Sequence, residues 1–230
     1  MSSLQAIIFD FDGVIADSER LHMRAFQETL RATPVTLTDQ AYYADYLGFD
    51  DHGVFRHLGQ DQGHPFDADT LDRLVADKGR RYEVLAAAGH LLYPGAAAFI
   101  RAAAARVPIA VASGAQTHEI EDVLGRAGLR DLFKAVVGAD QTAASKPAPD
   151  PYLEAFARIE RAVGYALDAS RTVAIEDSRW GLESARAAGL RTVAVTTSYP
   201  ADSLAPHAEL VVESLDGLPL ELLDRLCVPA

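Results

Sequence analysis

Six short, largely apolar runs punctuate the chain: Ala6–Phe9, Val107–Ala112, Ala135–Val137, Thr172–Ile175, Thr192–Val195 and Leu210–Val212. Runs this short, without polar alternation, suit strands buried on both faces, as in a parallel sheet covered by helices. Stretches of helical period separate them at Ala96–Ala105, Thr117–Ala127, Pro151–Val163 and Gly181–Ala188, with Gly128 and Gly189 where helices would end. Strands alternating with helices predict an α/β core, a doubly wound, Rossmann-like parallel sheet. One stretch breaks the rhythm. Between Asp17 and Ala87 the patterns at Arg20–Leu30, Asp39–Leu47, Gly53–Leu58 and Ala68–Ala87 are all helical, and no strand is legible. They predict an all-α domain (17–87) inserted into a core formed by 1–16 and 88–230, with the exit linker near Ala88-Gly89.

Composition narrows the partners. The 230 residues are 49% hydrophobic and 23% charged, which is ordinary for a globular protein and too apolar for disorder. A net charge of −12, from 21 Lys+Arg against 33 Asp+Glu, argues against nucleic acid or an anionic membrane as partner. The most apolar long window, Val84–Ile100, is broken by Gly89, His90, Pro94 and Gly95, and a membrane span needs about 20 apolar residues. Met1-Ser2-Ser3-Leu4 has no basic signal-peptide region, and the single Cys227 excludes an internal disulfide framework. The expectation is a cytoplasmic, soluble, reduced protein, a monomer or weak dimer, with no nucleic-acid or membrane partner. Only three lysines exist, Lys78, Lys134 and Lys146, so any chemistry that needs one must choose among them.

In open α/β sheets ligands bind beyond the carboxyl ends of the strands, so the polar residues ending each apolar run are the candidates. The first run ends in Asp10 and Asp12, the second in Ser113-Gly114, and the fourth in Glu176-Asp177; the loop after the third carries Lys146-Pro147. Each alone has a plain reading as a turn former, a helix N-cap or a solvated charge. Together, four carboxylates in one place repel and call for a cation, and a hard oxygen-ligated ion such as Mg2+ suits them. Asp10, ionised at neutral pH, can attack phosphorus to give an aspartyl phosphate. Lys146 offsets the repulsion between anions, and Ser113 with the Gly114 N–H, at a helix entrance, can hold phosphoryl oxygens. Asp12 is close enough to protonate the leaving oxygen and later deprotonate water.

The set Asp10-Phe11-Asp12-Gly13-Val14, Ser113-Gly114, Lys146-Pro147 and Glu176-Asp177-Ser178 resembles the four motifs of the haloacid dehalogenase-like superfamily. The insert after the first motif resembles the cap of its subfamily I, in the group of β-phosphoglucomutases, phosphoglycolate phosphatases and CbbY-like proteins. The resemblance implies Asp10 as nucleophile, Asp12 as general acid/base, and Ser113 and Lys146 as phosphoryl holders. It also implies a Mg2+ site of Asp10, the Asp12 main-chain carbonyl and Asp177, with Glu176 nearby.

His22 stands where β-phosphoglucomutases have a cap histidine, and Lys78 with Tyr82 is similar to their cap lysine and tyrosine. Those mutases grip a second phosphate with an arginine in a cap loop and a lysine after the serine motif. This chain has Gly48-Phe49-Asp50-Asp51-His52 and Ala115-Gln116 there. An acidic loop repels a second phosphate but can accept hydrogen bonds from hydroxyls. The favoured expectation is therefore a Mg2+-dependent phosphatase of a small phosphorylated metabolite, a sugar or polyol phosphate, with His22, Asp51 and Lys78 as candidate substrate-binding residues. A sugar phosphomutase is the alternative. A phospho-accepting receiver-like module is a third reading, separated from an enzyme by its lack of turnover.

Overall fold

Strand β1 (Ala6–Phe9) is buried on both faces, as its unbroken apolar run requires. In the computed structural model, which describes residues 3–47, 49–86 and 91–228, β1 pairs in parallel with β2 (Ile109–Ala112) and β4 (Thr172–Glu176). Beyond β2 lies β3 (Phe133–Val137), and beyond β4 lie β5 (Arg191–Val195) and β6 (Leu210–Val212). The order β3-β2-β1-β4-β5-β6 reverses direction between β1 and β4, the switch point at which such sheets bind ligands. The sheet is Rossmann-like, and every pairing in it is parallel.

Four strand ends differ from the sequence pattern, β4 and β5 by one residue each and β2 and β3 by two, the latter for simple reasons. β2 starts after Pro108, which has no N–H for the ladder, although its carbonyl accepts from the Ile7 N–H at 3.2 Å. β3 extends back past the exposed Lys134, which is tolerated because β3 is an edge strand.

The chain divides into two compact units, one of residues 1–17 and 92–230, the other Ser18–Leu91. The expected linker at Ala88-Gly89 and the Gly48 of the acidic loop lie outside the described residues. The second unit contains α1 (Glu19–Leu30), α2 (Asp39–Ala41), α3 (Asp51–Asp61) and α4 (Ala68–Ala86). Phe26, Leu30, Tyr42, Phe55, Leu58 and Leu71 are buried together at its centre. Asp39–Leu47 does not form the single α-helix that its pattern predicts. It begins as α2 and widens into a π-helical turn over Tyr42–Tyr46, where two buried tyrosines reach out to acids: Tyr42 Oη donates to Glu19 and Tyr46 Oη to Asp61, each at 2.8 Å.

The first unit adds α5 (Ala96–Ala104), α6 (Thr117–Arg126), α7 (Asp150–Val163), α8 (Arg179–Ala187), and two short helices the pattern did not show, α9 (Ala201–Leu204) and α10 (Leu220–Leu226). Tyr152, Ala155 and Ile159 of α7 pack on Ile8, Ala110, Ala135 and Val137 of the sheet. Small alanines in three strands let the helix sit close, and each large apolar side chain buried there contributes about 1.5–3 kcal/mol. Among the described residues no helix is long and apolar enough to cross a membrane.

Cys227 is buried beside α10, and burial pushes its thiol up to about 11. Because the thiolate is the reactive form, a thiol reagent at pH 8 should label the folded protein at a small fraction of the rate seen in guanidinium. Equal rates in the two conditions would refute the buried placement.

Candidate active site

Parallel register brings the candidate carboxylates together. Phe9 stands level with Ile175 of β4 and Val111 of β2, so Asp10, one residue further, emerges beside Glu176, and Ser113 follows just beyond β2. The Asp10 N–H continues the ladder to the Ile175 carbonyl at 2.9 Å. Asp12, half-buried, leads into a tight turn in which the Ile15 and Ala16 N–H groups return to the Phe11 carbonyl. Ser113 is buried, its N–H bonded to the Val137 carbonyl and its Oγ accepting from the Ala115 N–H at 3.2 Å. Gly114 is exposed just before α6, whose first turn is closed by Glu119 accepting from the Gln116 N–H.

Lys146 completes the constellation. Its Nζ lies 2.9 Å from Asp10 Oδ1 and 2.6 Å from Glu176 Oε1, above the ring of Tyr152 at 5.1 Å. The Lys146–Pro147 peptide is cis. Burial opposes the charge on Lys146, yet Asp10 and Glu176 outweigh it and hold its pKa well above that of an ordinary lysine. For Asp10 the balance runs the other way. Burial first, then the Glu176 charge, push it up to about 7 against the pull of Lys146.

Glu176 is fully buried and held on all sides. Tyr152 Oη donates to its Oε1 at 2.8 Å, while the Asp177 N–H, the Ser178 N–H and Ser178 Oγ donate to its Oε2. Burial, followed by Glu176, keeps the Tyr152 hydroxyl well above its usual pKa, so it stays a donor. Two glycines make room for the acids. A side-chain carbon on Gly181 would fall 1.8 Å from Glu176 Oε1, and one on Gly13 would fall 1.9 Å from Asp177 Oδ2. One ligand oxygen from each of Asp10, Glu176 and Asp177 lies within 4.8 Å of the others. Three carboxylates facing one lysine leave an excess of negative charge, and an all-oxygen donor set fits a hard divalent cation.

The second unit has its own buried polar cluster. Lys78, 1% exposed, places Nζ 2.6 Å from His22 Nδ1 and 2.8 Å from Asp51 Oδ1, and His22 stacks on Tyr82 with ring centroids 4.0 Å apart. The other residues of the acidic loop go elsewhere. Asp50 caps α3 by accepting from the Gly53 N–H, and His52 pairs at the surface with Asp72. Sequence reasoning missed Tyr152 beside Glu176, and Thr197 and Ser198, which bond to Gly13 and Asp177. The last two lie two and three residues past β5, just beyond where the rule that found the other candidates looked.

The profile of the haloacid dehalogenase-like hydrolase family matches residues 7–195. The chain belongs to that family. The CbbY protein of Rhodobacter capsulatus is 33% identical to this hydrolase over 204 residues, 85% of this chain and 87% of its own length. Hexitol phosphatase B of Escherichia coli K12 is 30% identical over 197 residues, 83% of this chain and 82% of that protein. Among solved structures, CbbY of Rhodobacter sphaeroides in complex with phosphate superposes with a TM-score of 0.83 at 29% identity, covering 96% of this chain and 99% of that one. A mutant of the same protein in complex with xylulose 1,5-bisphosphate gives 0.81 at 28% identity, over 94% and 96%. This hydrolase is an enzyme of the phosphoric monoester hydrolase class.

Proposed function

We propose that this hydrolase is a Mg2+-dependent phosphatase of a small phosphorylated sugar or polyol, acting through an aspartyl phosphate on Asp10. The observation that carries the reading is the convergence of Asp10, Lys146, Glu176 and Asp177 beside the switch point of the sheet. The hexitol phosphatase relative and the phosphate and sugar-bisphosphate complexes of CbbY support the substrate class.

In this reading an Asp10 carboxylate oxygen attacks phosphorus while the bond to the leaving oxygen breaks, and Asp12 gives that oxygen a proton. Lys146 and Ser113, with the Gly114 N–H, hold the phosphoryl oxygens. Asp12 then takes a proton from water, whose oxygen bonds to phosphorus as the Asp10–phosphorus bond breaks, and inorganic phosphate leaves. Asp10, Asp177 and the Asp12 carbonyl would hold Mg2+, with Glu176 beside it as the counter-ion of Lys146. Bound there, the ion supplies the positive charge that lets one anion approach another. His22, Asp51 and Lys78 are assigned to the hydroxyls of the leaving group, since Lys78 is already neutralised by Asp51 and is a poor grip for a second phosphate.

A sugar bisphosphate is a second reading, favoured by the xylulose 1,5-bisphosphate complex of CbbY. The test is phosphate release from sugar phosphates, polyol phosphates, phosphoglycolate and xylulose 1,5-bisphosphate, with β-glucose 1-phosphate plus a bisphosphate activator as the mutase arm. Turnover is expected with a sugar or polyol monophosphate, abolished by EDTA and restored by Mg2+. Activity that survives EDTA, or isomerised sugar phosphate without free phosphate, would overturn the reading.

A further inference from the structure

We infer that Ser198 is a positioning residue that fixes the orientation in which Asp177 meets Mg2+, an inference resting on the metal assignment above. β5 lies next to β4, with Ala194 opposite Glu176, so the chain leaving β5 runs alongside the chain that carries Asp177. Three residues beyond the end of β5, Ser198 Oγ donates to Asp177 Oδ2 at 2.5 Å. Its neighbour Thr197 donates through Oγ1 to the Gly13 carbonyl, which ties the same loop to the turn after β1.

The other wall of the slot is Gly13. Its φ of 77° lies in the left-handed region, and a carbon added there would sit 1.9 Å from Asp177 Oδ2 and 3.1 Å from Ser198 Oγ. Oδ2 of Asp177 is thus enclosed by a backbone with no side chain on one side and a hydroxyl on the other. A carboxylate rotates over a broad range about its last torsion, so a metal ligand of this kind needs an outside group to hold it. Ser198 supplies such a group. Asp177 is 5% exposed, so water is poorly placed to substitute for the hydroxyl.

The two loop residues have separate effects. The Thr197 bond reaches only backbone and anchors the loop, whereas the Ser198 bond reaches one oxygen of the proposed ligand's carboxylate and sets the direction of the group. Removing the Ser198 hydroxyl leaves the loop attached and takes this hydrogen bond away from the carboxylate.

The test uses the metal-free full chain and Mg2+ alone, titrated by calorimetry, with melting temperatures in EDTA and in excess Mg2+. Ser198→Ala should raise the Mg2+ dissociation constant about 10–100-fold, the range seen when a group that orients a metal ligand is lost. The melting temperature in EDTA should fall modestly, because a buried acceptor loses its donor, and the further rise that Mg2+ gives the parent should shrink with the weaker binding. Ser198→Thr, which keeps the hydroxyl, should bind Mg2+ as the parent does. A parent-like dissociation constant in Ser198→Ala overturns the inference, and so does an equal loss in both variants. A parent that releases phosphate yet binds no Mg2+ overturns the metal assignment itself, a result distinct from any pattern among the variants.

Discussion

Asp10→Asn should abolish phosphate release while leaving the protein folded. Asparagine keeps the size of the side chain and an oxygen for Lys146 Nζ, 2.9 Å away in the parent, but has no anionic oxygen to attack phosphorus. Loss of a catalytic nucleophile costs about 10^4–10^6 in turnover. Stability should move the other way in metal-free protein. Burial, then Glu176, push Asp10 up to about 7, above its unfolded value of 3.8, so its ionisation opposes folding in full above about 7 and the opposition fades as pH falls from there towards the unfolded value. Asparagine removes that opposition. The variant should melt no lower than the parent in EDTA at pH 8. Phosphate release within tenfold of the parent would end the nucleophile assignment.

Lys146→Met should damage both stability and rate. The methionine stem retains contact with the Tyr152 ring but leaves Asp10 and Glu176 buried without the cation that lies 2.9 and 2.6 Å from them. Removing one partner from a buried ion pair costs about 3–5 kcal/mol, because the surviving charge stays out of water. Glu176 is hemmed in by Tyr152, Ser178 and Gly181 and has nowhere to turn. The urea midpoint should fall by an amount matching that cost. Turnover should fall about 10^2–10^3-fold, as when a preorganised group facing transition-state charge is lost. A parent-like midpoint would mean that Lys146 is a surface charge, the plainest alternative for a lone lysine in a loop.

The strands and the acids that end them were legible because one physical demand governs both. A strand covered on two faces is apolar through its middle, so Asp10, Ser113 and Glu176 stand out where the apolar runs stop. Strand order was not legible, since nothing in Ala6–Phe9 says that its neighbours are β2 and β4. Tyr152 was hidden for a related reason: on α7 it reads as one more core aromatic, and only its hydroxyl, 2.8 Å from Glu176, makes it part of the site. In the insert, the sequence put Asp51 forward as a substrate-binding candidate but gave no physical ground to separate it from its neighbours Asp50 and His52. The fold separates them into a helix cap, a partner for buried Lys78 and a surface ion pair.

The β1–β4 pairing joins segments made at very different times. As the polypeptide emerges, the strand bearing Asp10 comes first, and the whole insert, β2 and β3 follow before β4 supplies Glu176 and Asp177. A nascent chain therefore holds the proposed nucleophile, Asp10, long before it holds Glu176 and Asp177. Pairings between distant segments form late because the intervening loop must be closed first. In the proposed reading the site is therefore incomplete until β4 has been made, and Ser198, beyond β5, joins it later still.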